Sequence, residues 1–152
     1  MADIRTTLDR LIVIQAAVSI TEPSIQAIQK AWKYVAPQSA TIPETPCFMN
    51  DYTLRREQRA PSLRVSGWTI RSHLYVFDAD LEVAMDIATA LFEKYRNDLG
   101  ADTNLSRNIS GGGQLRGSDP TIGTIERAGR AYMAVECFLD FEIKESFAWA
   151  TL

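Results

Sequence analysis

The clearest pattern in the chain lies near its C-terminal end, over residues 131–144. Met133, Val135, Cys137, Leu139, Phe141 and Ile143 are all apolar, and they alternate with Glu136, Asp140, Glu142 and Lys144. Successive strand side chains point to opposite faces, so the stretch reads as one long strand with a core face and a wet face. Burying six such side chains contributes roughly 1.5–3 kcal/mol each before entropy is subtracted. Tyr132 and Phe138 break the wet face, standing among acids where an antiparallel sheet rarely needs aromatics. Something must cover them or bind them.

The rest of the chain follows in order. Ile4, Leu8, Leu11, Ile12 and Ala16 predict a helix over residues 3–18. Thr21-Glu22-Pro23 has the form of a helix start, and Ile25, Ile28, Trp32 and Val35 predict a second helix to about Val35. Spacing alone leaves open whether residues 3–35 are one helix or two. Three prolines within residues 37–46 then mark an extended surface connection.

Residues 47–56 predict a strand with Phe48, Tyr52 and Leu54 on one parity. The charged run Arg55-Arg56-Glu57-Gln58-Arg59 before Pro61 predicts a hairpin rim in solvent. The following strand, residues 63–77, changes phase at Gly67, from Leu63 and Val65 to Trp68, Ile70, Leu74 and Val76, which predicts a bulge or bend there. The most complete helix signal runs from Asp80, an N-cap, through Leu81, Ala84, Met85, Ala88, Leu91, Phe92 and Tyr95, with Gly100 placed for a left-handed C-terminal cap. Residues 101–120, with Gly111-Gly112-Gly113, break every pattern and predict a long loop, of the kind that is usually functional or disordered. A short strand, Thr121 to Glu126, then turns through Gly129 into the long strand. Phe147, Trp149 and Leu152 near the end are expected to dock on the core or on a neighbouring subunit.

The expected fold is α+β: an antiparallel or mixed sheet of two hairpins with a central helix packed across it. An N-terminal helical part (residues 1–36) and a glycine-rich loop (residues 101–120) complete a single domain of 152 residues. A hydrophobic fraction of 46% and a formal charge of −3 fit a soluble globular chain that does not grip nucleic acid over its whole surface. The longest apolar run near the start, Leu11-Ile12-Val13-Ile14, is far short of the ~20 residues of a membrane helix, so a cytosolic protein is expected. Cys47 and Cys137 are too few for a disulfide framework, and Cys137 reads as a small buried hydrophobe.

Candidate chemistry is thin. The triple glycine is followed by Gln114-Leu115-Arg116 rather than the Lys-Ser/Thr of a phosphate loop. His73 has no ligand-spaced partner. No nucleophile elbow, HExxH or CxxC motif occurs. No catalytic, cofactor or metal residues are expected.

The order of elements resembles the tail terminator (tail completion) proteins of long-tailed bacteriophages, including those like minor tail protein U. The resemblance rests on Ile42-Pro43-Glu44-Thr45-Pro46 before the first strand and on Trp68-Thr69-Ile70-Arg71 running into Leu74-Tyr75-Val76. The helix from Asp80 to Tyr95 and the strand from Tyr132 to Ile143 complete it. It implies a non-enzymatic virion subunit, assembled in the host cytoplasm, that forms a hexameric ring. Such a ring caps the tail tube and joins it to the head connector, and DNA passes through without specific binding. Under this resemblance residues 101–120 become an arm that orders against a tail-tube or connector subunit. Arg107, Ser110, Gly111, Gly112, Gly113 and Arg116 are then the expected contacts, with Tyr132 and Phe138 on the neighbouring strand. Glu136, Asp140 and Glu142 face either a ring lumen or outside solvent. A head-completion or neck protein, and a small α+β ligand-binding or enzyme domain, stay open as alternatives.

Overall fold

The computed structural model describes residues 3–102, 105, 110–115 and 121–146. The fold is α+β. Helices α1 (Ile4–Ala16) and α2 (Leu81–Gly100) lie on one face of a mixed sheet, and β1 (Ser19–Ile20) and β2 (Gln26–Ala27) form a separate small hairpin. The main sheet runs β3 (Lys30–Trp32), β4 (Cys47–Ala60), β5 (Leu63–Val76) and β8 (Arg130–Ser146). The far edge of β8 is shared by β7 (Thr121–Arg127) and β6 (Ser110–Leu115).

α1 starts where its sequence supplies a reciprocal cap. Asp3 accepts from the Thr6 amide at 2.7 Å, and the Thr6 hydroxyl accepts from the Asp3 amide at 3.2 Å. Its buried stripe is Leu8, Leu11 and Ile14. The expected second helix is not there: residues 19–32 form β1, β2 and β3 instead, so residues 3–35 hold a single helix. The four apolar positions that mimic a helical stripe do not share a face, since Ile25 is exposed and Ile28 is buried. Lys30–Trp32 finds backbone partners in parallel register with Cys47–Met49, which outweighs a weak amphipathic signal.

β4 and β5 form a long hairpin closed by Pro61 and Ser62, with residues 52–60 exposed as the charged rim requires. The phase change at Gly67 is not a break in β5, which pairs with β8 without interruption. The bulge sits on β4, between Leu54 and Arg56, and Leu63 and Val65 stay on the sheet face away from the helices. Gly67 gives room to that bulge: a Cβ there would lie 3.0 Å from Arg56 Cγ.

Asp80 caps α2 through the Glu82 and Val83 amides. The helix buries Ala84, Ile87, Ala88, Leu91, Phe92, Tyr95 and Leu99, whereas Leu81 and Met85 are exposed. Gly100 is not a left-handed cap. The helix runs through it to a right-handed Ala101, and Asp102 then pairs with Arg10 of α1 at 2.8 Å.

The sequence reading of residues 101–120 as a loop is corrected in part, because Ser110–Leu115 is strand β6 on the edge of β8. Three glycines carry no side-chain parity, so this strand leaves no alternation to read in the sequence. Arg107 and Arg116 lie outside the described residues, as do Phe147, Trp149 and Leu152. β7 turns into β8 through Ala128 and Gly129, both at positive φ (50° and 77°), the backbone a two-residue hairpin needs.

Six alternate residues of β8, from Met133 to Ile143, are buried against the helices, matching their sequence parity. The opposite face is only half covered. A strap of residues 33–46, with Ile42 buried in it, closes over Cys47, Met49, Tyr75 and Tyr132. Arg127 fastens the strap by donating to the Pro37 carbonyl at 2.9 Å, and the Ala128 amide donates to the Gln38 carbonyl at 3.2 Å.

Candidate functional site: the uncovered face of the sheet

Beyond the strap, β4, β5 and β8 present a face, open among the described residues, built from the alternate residues that do not meet the helices. Register brings Asp51 opposite Arg71 and Arg71 opposite Phe138, and Thr69 opposite Asp140. Asp51, Thr53, Arg55, Thr69, Arg71 and Phe138 line a shallow depression of about 340 Å³.

Its charged groups and Thr69 are held by neighbours. Arg71 donates to Asp51 from Nε at 3.2 Å and from Nη2 at 2.5 Å, and this bond raises the guanidinium pKa further. Arg55 reaches the Trp68 and Phe141 carbonyls at 3.3 Å and lies 3.7 Å from Asp140. The Thr69 hydroxyl donates to Asp140 at 2.5 Å, and Arg56 pairs with Glu142. His73 Nδ1 lies 3.6 Å from Glu136.

The three acids expected at a lumen are therefore together on one face, as their alternation requires; Asp140 and Glu142 face Arg55 and Arg56, and Glu136 faces His73. With Asp51 they make four acids against the four cations Arg55, Arg56, Arg71 and Lys144. Among the described residues the face is charge-balanced rather than negative. Exposed pairs of this kind contribute little to folding, ~0–1 kcal/mol each, so their partners can be exchanged at small cost.

The two aromatics expected as contacts part company. Phe138 is half-buried on the open face, but Tyr132 is 1% exposed beneath the strap, edge-on to Tyr75 and Phe77. Tyr132 as a surface contact is corrected: the proline-rich strap covers it. Ser110, Gly111, Gly112 and Gly113 reach the same neighbourhood through the backbone of β6, which pairs with β8 at Glu142 and Asp140.

His73 stands at the seam between the covered and open halves, stacked on Tyr75, with Nε2 buried and without a hydrogen-bond partner. Burial holds its pKa below the ordinary value of 6.5, against the opposing pull of Glu136. The folded state thus favours neutral His73, while the unfolded chain takes the proton first as pH falls. The contribution of this residue is complete above about pH 6.5 and is lost as pH falls through the folded pKa. Urea unfolding measured across that range should show wild type losing stability on acidification more steeply than His73→Gln. Parallel curves would refute this.

The cysteines offer no reactive group, because burial pushes both thiols up to about 12. Among the described residues no cluster of three metal-ligating side chains occurs. No helix among them is long and apolar enough to cross a membrane.

Sequence reasoning missed Asp51, Arg55, Thr69 and Arg71 as a group. Their parity, opposite to Ile70 and Leu74, was readable; which of them lie side by side depends on strand register, which was not. No protein-family model and no curated protein matches the chain.

Proposed function

We propose that this chain is a structural, non-enzymatic subunit that forms a ring of about six copies at the end of a phage tail tube and joins it to the connector. The observation that carries the reading is the arrangement of the sheet: both helices on one face, and on the other a charge-paired surface with Phe138 half-buried in it. Such a face fits a partner surface that exchanges ion pairs on contact, and β6 extends it at the edge of β8. The element order supports the same reading, from the strap through the long hairpin and crossing helix to the terminal hairpin.

The 340 Å³ depression favours a second reading, a small-ligand domain, because two guanidiniums and an aromatic ring converge there. The prior pairing of both arginines with carboxylates weighs against an anionic ligand. Negative-stain microscopy of the purified protein mixed with tail tubes distinguishes the readings. Rings seated on tube ends are the expected result. A chain that leaves every tube end bare, whatever its concentration, would overturn the proposal.

A further inference from the structure

β4 is bonded to β5 along its length, but its other edge meets β3 only at residues 47–49. The chain leaves that lane after Trp32, where Lys33 turns to pair with Asp9 of α1. From Asp51 onward the edge of β4 has no strand beside it among the described residues. Asp51, Thr53 and Arg55 lie on the uncovered face, and Tyr52 and Leu54 lie on the other, 45% and 44% exposed. An open edge with exposed apolar side chains is a template for another strand. The bulge between Leu54 and Arg56, with the cations Arg56 and Arg59 beyond it, closes the template at its far end.

We infer that residues 51–55 pair with the same residues of a second copy of this chain, antiparallel about Thr53. The segment is self-complementary in that register. Asp51 lies opposite the partner's Arg55, Tyr52 opposite the partner's Leu54, and Thr53 opposite the partner's Thr53. Moving the centre to Tyr52 or to Leu54 sets Asp51 or Arg55 against threonine and loses both ion pairs. The pairs also extend networks already in place, from Arg71 through Asp51 and from Asp140 through Arg55. Pairing stops at five residues because β3 fills the lane beside residues 47–49, and the bulge bends the strand where the contact has to end. A two-fold contact of this kind closes on itself, so it yields a dimer and no fibre. It uses the sheet edge rather than the open face, and stands whether or not the ring reading holds.

Opposite residues of an antiparallel pair have Cα atoms about 4.5–5.5 Å apart, within disulfide reach. Thr53→Cys should therefore form a disulfide-linked dimer in air, visible on a non-reducing gel. Arg59→Cys, at a position 69% exposed but outside the paired segment, should stay monomeric. The buried native cysteines are silent in this assay. Sedimentation equilibrium of wild type should show a concentration-dependent dimer. Arg55→Asp should weaken it about tenfold. Because Arg55 also holds carbonyls in its own chain, Leu54→Lys, a change at an exposed side chain, provides the second disruption and should weaken the dimer similarly. The inference fails if Thr53→Cys does not cross-link, if Arg59→Cys cross-links as fast, or if the dimer survives both Arg55→Asp and Leu54→Lys.

Discussion

Asn50→Leu should lower the unfolding free energy by about 3 kcal/mol or more, among the largest effects of any single polar side chain here. Asn50 is fully buried on β4, where the sheet, α1 and α2 meet. Its amide donates to Gln15 Oε1 at 2.8 Å and to the Trp32 carbonyl at 2.9 Å. Its oxygen accepts from Gln15 Nε2 at 2.9 Å and from the Ser72 hydroxyl at 2.6 Å. Gln15 also donates to Ser72 at 3.1 Å and lies 3.5 Å from the Tyr95 hydroxyl. Five elements are thus joined by one buried network: α1, β3, β4, β5 and α2. Leucine fills most of the volume but strands the partners, and each buried polar group left unpaired costs about 1–3 kcal/mol. Gln15→Leu should be similarly costly, whereas the double variant should lose less than the sum, because the two amides are chiefly each other's partners. Urea unfolding followed by circular dichroism measures all three. Additive losses would show that the network is not a unit.

How much of this was legible beforehand varied with the kind of signal. β8 and α2 announce themselves because each buries a regular stripe of large side chains, so period and burial agree from Met133 to Ile143 and, Met85 apart, from Ala84 to Tyr95. The hairpins were legible from Pro61 and Gly129 for the same local reason. Residues 19–32 were not. Ile25, Ile28 and Trp32 carry a helical spacing, and only the partner strand at Cys47–Met49 decides against it. β6 was invisible because Gly111, Gly112 and Gly113 have no side chains to alternate. The buried network was hidden differently. Gln15 and Asn50 look like ordinary surface residues until two helices and a sheet close over them. Of the candidate site, the parity of Glu136, Phe138, Asp140 and Glu142 was readable. Three of the four cations that offset the negative charge, Arg55, Arg56 and Arg71, come from β4 and β5 and depended on register.

Tyr132→Ala should destabilise the chain by about 3–5 kcal/mol, the range for removing a buried aromatic ring. In sequence Tyr132 and Phe138 are equivalent, two aromatics on the polar side of one strand. The fold separates them by what lies above. Tyr132 is packed with Tyr75, Met49 and Cys47 under Ile42 of the strap, and its ring meets Phe77 at 5.7 Å. Phe77 is itself covered by the Arg130 guanidinium at 4.5 Å, so the loss opens a cavity beneath several fixed groups. The irregular strap, held by Pro37 and Gln38 carbonyls, has few bonds of its own with which to collapse into that space. Phe138→Ala truncates a half-buried ring and should cost at least about 1 kcal/mol less than Tyr132→Ala. The pair of variants therefore separates two roles that sequence treats alike. A contact residue, once truncated, leaves the free subunit as stable as before and weakens only assembly. A core residue lowers the urea midpoint of the isolated subunit. An unchanged midpoint for Tyr132→Ala would mean that the strap does not seal the covered half of the sheet, and would return Tyr132 to the partner-binding surface.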